Sequence, residues 1–307
     1  MRLLVIHKRQ KKDKQKNKQK GVALILVLWV TVLLTVIASS FALSARVEGI
    51  QAKMVFDTTR ARYLAEAGLH RAVYELRNPD PEARWVADGR IYKMEFADAE
   101  IEIQITDETG KIDINLASDE LLVGLFASLG MSDEDAMMLT ERVIDWRDND
   151  NIKGLDGAED EDYEAAGYKY GAKDALFDTV PEIQQVMGVT YEMYKKLEPA
   201  ITVFSGSRNI NIAYAPLQAL MALEGVERED AQQFIEEREL VETGDEMPIL
   251  ANGQAAVARG GGVAFSIKAK ATLSNKHWAS LDATIRLGGT VNGRPFRIVR
   301  WRDNEHL

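Results

Sequence analysis

Eight carboxylates crowd into 18 residues, Asp145, Asp148, Asp150, Asp156, Glu159, Asp160, Glu161 and Asp162, offset there by Arg147 and Lys153 alone. So much like charge in a compact loop is unfavourable unless cations compensate it. Oxygen-rich surroundings of this kind suit Ca2+, which takes about 6–8 oxygens, backbone carbonyls among them. Mg2+ fits less well, because it prefers a rigid octahedron and keeps its water. The spacing is not that of an EF-hand. With Asp148 as the first position of a twelve-residue loop, Asp150 is third, Asp156 ninth and Glu159 twelfth, but Ile152 falls fifth and Lys153 sixth, where glycine is wanted. The competing reading is a solvated acidic loop with no metal. Asp145 belongs to the end of the preceding helix if Trp146 packs inward.

Other chemistry is scarce. The chain has no Cys, which excludes disulfides, thiolate metal sites and Cys nucleophiles. The four His, at 7, 70, 277 and 306, are scattered. No nucleophile–base spacing and no Gly-rich phosphate loop accompanies them, so the expectation is a protein that is not an enzyme. The formal charge of −10 becomes −18 once residues 1–21, with nine Lys/Arg and one acid, are set aside. An acidic body of that kind argues against nucleic acid, whose binding is largely counterion release by Lys and Arg.

The positioning elements begin with a run of 25 residues without charge, Gly21 to Ala45, directly behind that basic leader. As a helix it is long enough to cross a hydrocarbon core of roughly 30 Å. The cations place the leader in the cytoplasm and send the rest across. The run exceeds the apolar region of a secretory signal peptide, although Ala42-Leu43-Ser44 offers a poor cleavage site, so a retained anchor is expected. Beyond it, Leu64, Leu69, Val73 and Leu76, with Ala65 and Ala72, form one helical stripe, and no Pro interrupts Gly21 to Asn78. A single helix of about 57 residues, ~85 Å long, is predicted, stopped by Pro79 and Pro81.

Alternation predicts strands over 91–96 and 100–106, with Ile101, Ile103 and Ile105 on one face, and again over 263–272, 279–287 and 295–302. Gly288-Gly289 and Asn292-Gly293 supply turn signals between the last two. Neither group makes a stable sheet alone, which predicts an α+β fold: one antiparallel sheet on the long helix, with an all-α insertion between its strands. The boundaries read as a leader over 1–21, the N-terminal helix over 22–78 (membrane part 22–45, amphipathic part 46–78), first strands over 79–112, the insertion over 113–241, a mobile linker over 242–262 and C-terminal strands over 263–307. Within the insertion, INLA at 114–117 is echoed by INIA at 210–213. Asn115 and Asn211 are expected to cap helices, and Gly130 and Gly225 to end them, with a third corner at Gly188. The pattern resembles the helix-hairpin-helix module, often a DNA-backbone reader, but its second corner carries Glu224, Glu227, Glu229 and Asp230 against Arg228. Packing is favoured over DNA.

Several separated motifs point together: Gly21 closing the basic leader, YLAEAG at 63–68, DETGKIDIN at 107–115, DWRDND at 145–150, DGAEDEDY at 156–163, VPEI at 180–183 and GVT at 188–190. Over nearly its whole length the chain resembles the K-type minor pseudopilins of type II secretion systems. The resemblance implies a pilin-like helix and sheet with a large helical insertion, anchored in the bacterial inner membrane with its bulk in the periplasm. It also implies a place in the pseudopilus, the short filament that helps export folded proteins through the outer membrane. A prepilin peptidase is implied to cut between Gly21 and Val22, with methylation of the new amine. The implied partners are other minor pseudopilins in a tip complex and the major pseudopilin below. Calcium is implied in the acidic loop, with Asp148, Asp150, Asp156, Glu159 and Asp160 as ligands and Asp174 and Glu182 as further contributors.

Pilin relatives carry Glu at the fifth mature position, where this chain has Leu26. Glu in hydrocarbon is expensive unless it meets a partner, which in such filaments is the amine of the subunit ahead. With Leu26 nothing ahead is received, and a tip position is implied. A membrane-anchored DNA receptor of a competence-like system is the alternative, and a secreted calcium-dependent hydrolase a further one.

Overall fold

The computed structural model describes residues 19–80, 83–241, 246–256, 261–291 and 294–305. Most of the leader and the Asn292-Gly293 signal lie outside them. The chain opens with α1 (Gln19–Leu76), followed by β1 (Asp88–Phe96), β2 (Ala99–Asp107), a short β3 (Ile112–Asp113), α2 (Asp119–Ala127), α3 (Asp133–Arg147) and α4 (Asp160–Ala165). Then come a 3₁₀ turn (Val180–Gln185), α5 (Tyr191–Leu197), β4 (Ile201–Thr202), α6 (Leu217–Met221), α7 (Arg228–Leu240), β5 (Ala264–Leu273), β6 (Trp278–Val291) and β7 (Arg294–Glu305).

α1 runs for 58 residues because no Pro breaks its hydrogen bonds. Residues up to Asp57 form one unit and the remainder another. In the first unit the apolar side chains from Val22 to Leu43 are exposed. Thr31 and Thr35 return their hydroxyls to the carbonyls of Leu28 and Val32 at 2.8 and 2.7 Å, so both threonines are satisfied within the helix. The helix is long and apolar enough to cross a membrane.

In the second unit the expected stripe is buried: Ala61, Leu64, Ala65, Leu69, Ala72, Val73 and Leu76. It packs on an antiparallel five-stranded sheet of order β1-β2-β5-β6-β7. Ile101, Ile103 and Ile105 pair with Ala271, Ala269 and Ile267, and all six are fully or almost fully buried. Period-2 alternation thus puts an apolar face on α1 and a polar face, with Lys268, Asp282, Thr284 and Arg300, on the other side. Helix and sheet approach closely at Gly68, where a Cβ would stand 2.9 Å from Ile101 Cγ2 and 3.1 Å from Ala269 Cβ. Overpacking costs about 1–3 kcal/mol and improved helix propensity returns up to ~1. Gly68→Ala should therefore lower stability by about 1 kcal/mol, read as an earlier denaturant midpoint.

The strands are longer than alternation suggested, and Gly288 and Gly289 lie inside β6 rather than in a turn. Pairing there shifts register between Leu287 and Val291, so the glycines are absorbed as an irregularity of the ladder. The insertion has its own core, with Leu122, Leu125, Phe126, Leu139, Val143, Trp146, Tyr163 and Ile183 among its members. Gly130, Gly188 and Gly225 all take positive φ, as the hairpin reading expected. The Asn caps are a correction. Ser118 caps α2, while the Asn115 amide exchanges two hydrogen bonds with the Phe177 backbone, accepting at 2.7 Å and donating at 3.0 Å. Asn211 accepts from Ala213 N, and α6 starts only after Pro216. A long-range partner outcompetes the local cap at 115.

Residues 242–245 and 257–260 of the expected linker lie outside the described residues. Between them the chain is docked, with Leu250 buried in the insertion core and Ile249 bridged to Ala255.

Candidate metal centre

α3 positions the acidic loop. Ser132 caps it, accepting from Asp135 N at 3.2 Å, and Ala136, Leu139, Val143 and Trp146 recur at helical spacing on its buried face. At its end Arg147 donates to the carbonyls of Ile114 and Ala117 at 2.6 and 2.9 Å. Trp146 packs inward and Asp145 belongs to the end of α3, as the sequence suggested; Asp145 is in addition buried beneath the loop, 3% exposed.

The loop from 148 to 159 is tied down by carboxylates of α3. Asp145 accepts from Ala158 N at 2.8 Å and from Gly154 N at 3.2 Å, and Glu141 accepts from Asp156 N at 2.7 Å. Backbone passes so close to Asp145 that a Cβ at Gly157 would overlap its carboxylate. At the far end, Asp162 of α4 accepts from Glu159 N at 3.0 Å and from Lys153 Nζ at 2.6 Å.

Against this satisfied frame, four carboxylate oxygens are buried without a hydrogen-bond partner: Asp148 Oδ1, both Oε of Glu159 and Asp174 Oδ1. Buried acceptors left unmade are costly, and charged ones most of all. Burial, followed by the charges of Asp145, Asp174, Asp148 and Asp160, pushes Glu159 from 4.5 up to about 7. Asp148 is also raised, by burial first, with Asp150, Asp145 and Asp174 adding repulsion. A carboxylate raised in this way contributes most to stability at acidic pH and less as pH rises through about 7, the reverse of the usual acid. Asp174 also holds φ at +52°, a left-handed conformation uncommon outside glycine and often associated with functional sites.

Asp148, Glu159 and Asp174 therefore act on one another. The other expected ligands are placed differently. Asp150, Asp156 and Asp160 are exposed, Asp150 accepting from Ile152 N at 2.9 Å. Glu182 is committed elsewhere, to Trp146 Nε1 at 3.3 Å, Asp178 N at 2.9 Å and Lys173 Nζ at 2.7 Å. Among the described residues, no group of three or more acidic or His side chains is gathered closely enough to hold an ion. The donor chemistry, all oxygen and largely anionic, fits a hard divalent cation; the side chains do not form a closed shell. The loop-tying role of Glu141 and Asp145 was not anticipated. Its only trace in the sequence is their spacing of four, which puts both on one face of α3.

The hairpin corner at Gly225 is flanked by Glu224, Glu227 and Glu229, all exposed, so it presents negative charge where a phosphate reader needs positive. The family described as Type II secretion system (T2SS), protein K matches residues 104–206. A protein named Type II secretion system protein K from Klebsiella pneumoniae is 26% identical over 226 residues, 66% of this chain and 69% of that relative. One of the same name from Pseudomonas aeruginosa is 25% identical over 244 residues, covering 71% and 72%. Among solved structures, the GspK-GspI-GspJ complex from the enterotoxigenic Escherichia coli type 2 secretion system contains a chain of the same fold. Its TM-score is 0.55 and its identity 17%, over 85% of this chain and 99% of that one. The DNA-receptor reading finds no support in these relatives.

Proposed function

We infer, from a chain that belongs to the type II secretion system protein K family and is a minor pseudopilin of type II secretion, that it caps the pseudopilus at its tip. The family is a structural component of the secretion machinery. The observation that carries the placement is Leu26, an apolar residue in the charge-free part of α1 at the position where filament relatives use Glu. Cleavage between Gly21 and Val22 frees an amine that pairs with the Glu of the subunit below, the major pseudopilin or another minor one. Leu26 offers nothing to a subunit above. The helix from Val22 to Ala45 then spans the inner membrane once, and the sheet and insertion lie in the periplasm. The fold is shared with a chain that is complexed with GspI and GspJ, which supports two smaller minor pseudopilins as neighbours here.

The carboxylate site is read as a structural calcium centre, with Asp148, Glu159 and Asp174 supplying the unpartnered oxygens and Asp150, Asp156 and Asp160 the exposed ones nearby. Calcium would neutralise the crowded charge, and this chain's contribution is to hold the loop in place through Asp145 and Glu141.

The placement is tested by labelling this subunit on isolated pseudopili. One label per filament, at one end, is expected, together with N-methyl-Val22 in the mass spectrum of the mature chain. Leu26→Glu should spread the label along the shaft. Label along the shaft in the unaltered chain, or a start near Ala45 or Arg46, overturns the reading.

A further inference from the structure

Most large apolar side chains of the insertion lie in its core, but one stretch keeps five at the surface. Ile152 is 77% exposed, Leu155 90%, Tyr168 39%, Tyr170 42% and Leu176 56%. Scattered exposed apolar residues are ordinary; a gathered set marks an interaction surface. Contacts draw the two loops that carry them together. Lys153, between the two aliphatics, donates to Asp162, and the next ring, Tyr163, lies 5.6 Å from Tyr168 and 5.9 Å from Tyr170. A Cβ on Gly171 would run into Asp160. Neither loop can fold these side chains inward cheaply. The first is held through the amides of Gly154, Asp156 and Ala158, and the second by the Tyr170 hydroxyl donating to Gln185 O at 3.2 Å. Beside Tyr170 opens a cleft of about 520 Å³ that reaches Ala172, Pro181 and Gln185.

The surroundings are acidic. Glu161 and Glu164 of α4 are exposed against Lys169, while Lys153 is paired with Asp162 and Lys173 with Asp178 and Glu182, so these pairs add no net positive charge. Neither glutamate belongs to the proposed metal site, so their charge remains whether or not that site holds an ion. We propose that this surface docks a protein segment whose apolar side chains are ringed by Lys or Arg. Apolar contacts supply the affinity, and the acidic rim selects the sign of the partner and speeds the encounter. Anionic lipid headgroups and nucleic acid are repelled by the same rim.

In cells secreting through their own machinery, the full chain carrying a photoreactive phenylalanine analogue at Tyr168, which leaves the Tyr170–Gln185 bond in place, tests this directly. One discrete protein adduct is expected, with the crosslinked peptide of the partner carrying Lys or Arg beside apolar residues. Adding Ile152→Ser with Leu155→Ser should lower the yield at least fivefold while the unfolding temperature stays put. The same probe at Leu240, exposed on α7, should give no adduct above background. A yield no greater than at Leu240, a yield insensitive to the two serines, an acidic partner peptide, or label found on lipid would each overturn the proposal. Chelator enters nowhere in this experiment, so its outcome is separate from that of the calcium reading.

Discussion

Stripping divalent cations from the full chain is expected to lower its unfolding temperature by about 10 °C. A ligand present at a thousandfold its dissociation constant stabilises the folded state by about 4 kcal/mol, and a domain of this size shifts about 2–4 °C per kcal/mol. The unpartnered oxygens of Asp148, Glu159 and Asp174 localise the effect. Without an ion they are crowded like charges out of water; with one they would become its donors. Glu159→Gln should consequently have opposite signs in the two conditions. In chelator it removes a carboxylate that burial and, after it, the neighbouring acids already push up to about 7, and raises the melting temperature; in calcium it would remove a ligand and lower it. Glu182→Gln should leave the calcium response intact, since Glu182 already serves Trp146, Lys173 and the Asp178 amide. Identical melting with and without chelator, by calorimetry, would leave a solvated acidic loop.

Asp107→Ala is expected to destabilise the folded unit by about 3 kcal/mol, again close to 10 °C. Asp107 is 1% exposed and accepts from Thr109 N at 2.9 Å and Thr109 Oγ1 at 2.7 Å through one oxygen, and from Gly262 N at 2.8 Å through the other. Alanine leaves all three donors without it. Burial pushes the Asp107 carboxyl up in spite of these bonds, so the negative charge is itself unfavourable there and the value of the group lies in its acceptor geometry. Asp107→Asn keeps the two Thr109 bonds but turns an amide toward Gly262 N, and its loss should fall between wild type and alanine. Thermal unfolding at neutral pH separates the three; equal melting of Asn and Ala variants would contradict the split.

The fold was legible wherever one periodicity dominated. The stripe from Leu64 to Leu76 and the alternation of Ile101, Ile103 and Ile105 each place a continuous apolar face, and burial followed it. Prediction failed where a local signal met a distant partner. Asn115 has the chemistry of a cap, yet Phe177, 62 residues on, takes its amide. Gly288 and Gly289 look like a turn, yet continued pairing with β7 draws them into a strand. In the candidate site the acidic run was visible as composition, but nothing local distinguishes Asp145, which ties backbone, from Asp148, which keeps an oxygen unpaired. Asp174 is brought to the same place only by the packing of the 168–178 stretch, and Glu182 is withdrawn by Lys173. Composition announced the charge; tertiary contacts decided which carboxylates carry it unanswered.

The chain departs from the sheet at Asp107 and comes back beside it, with Asp107 paired to Phe265 across adjacent antiparallel strands. Departure and return are thus stitched to one another before the excursion between them is considered. A graft that joins the two strands by a tight hairpin should still yield the helix with its five strands, and a foreign module could be spliced into the same seam. If the chain caps the filament as proposed, what is presented at that end can be exchanged without redrafting the helix and sheet that carry it.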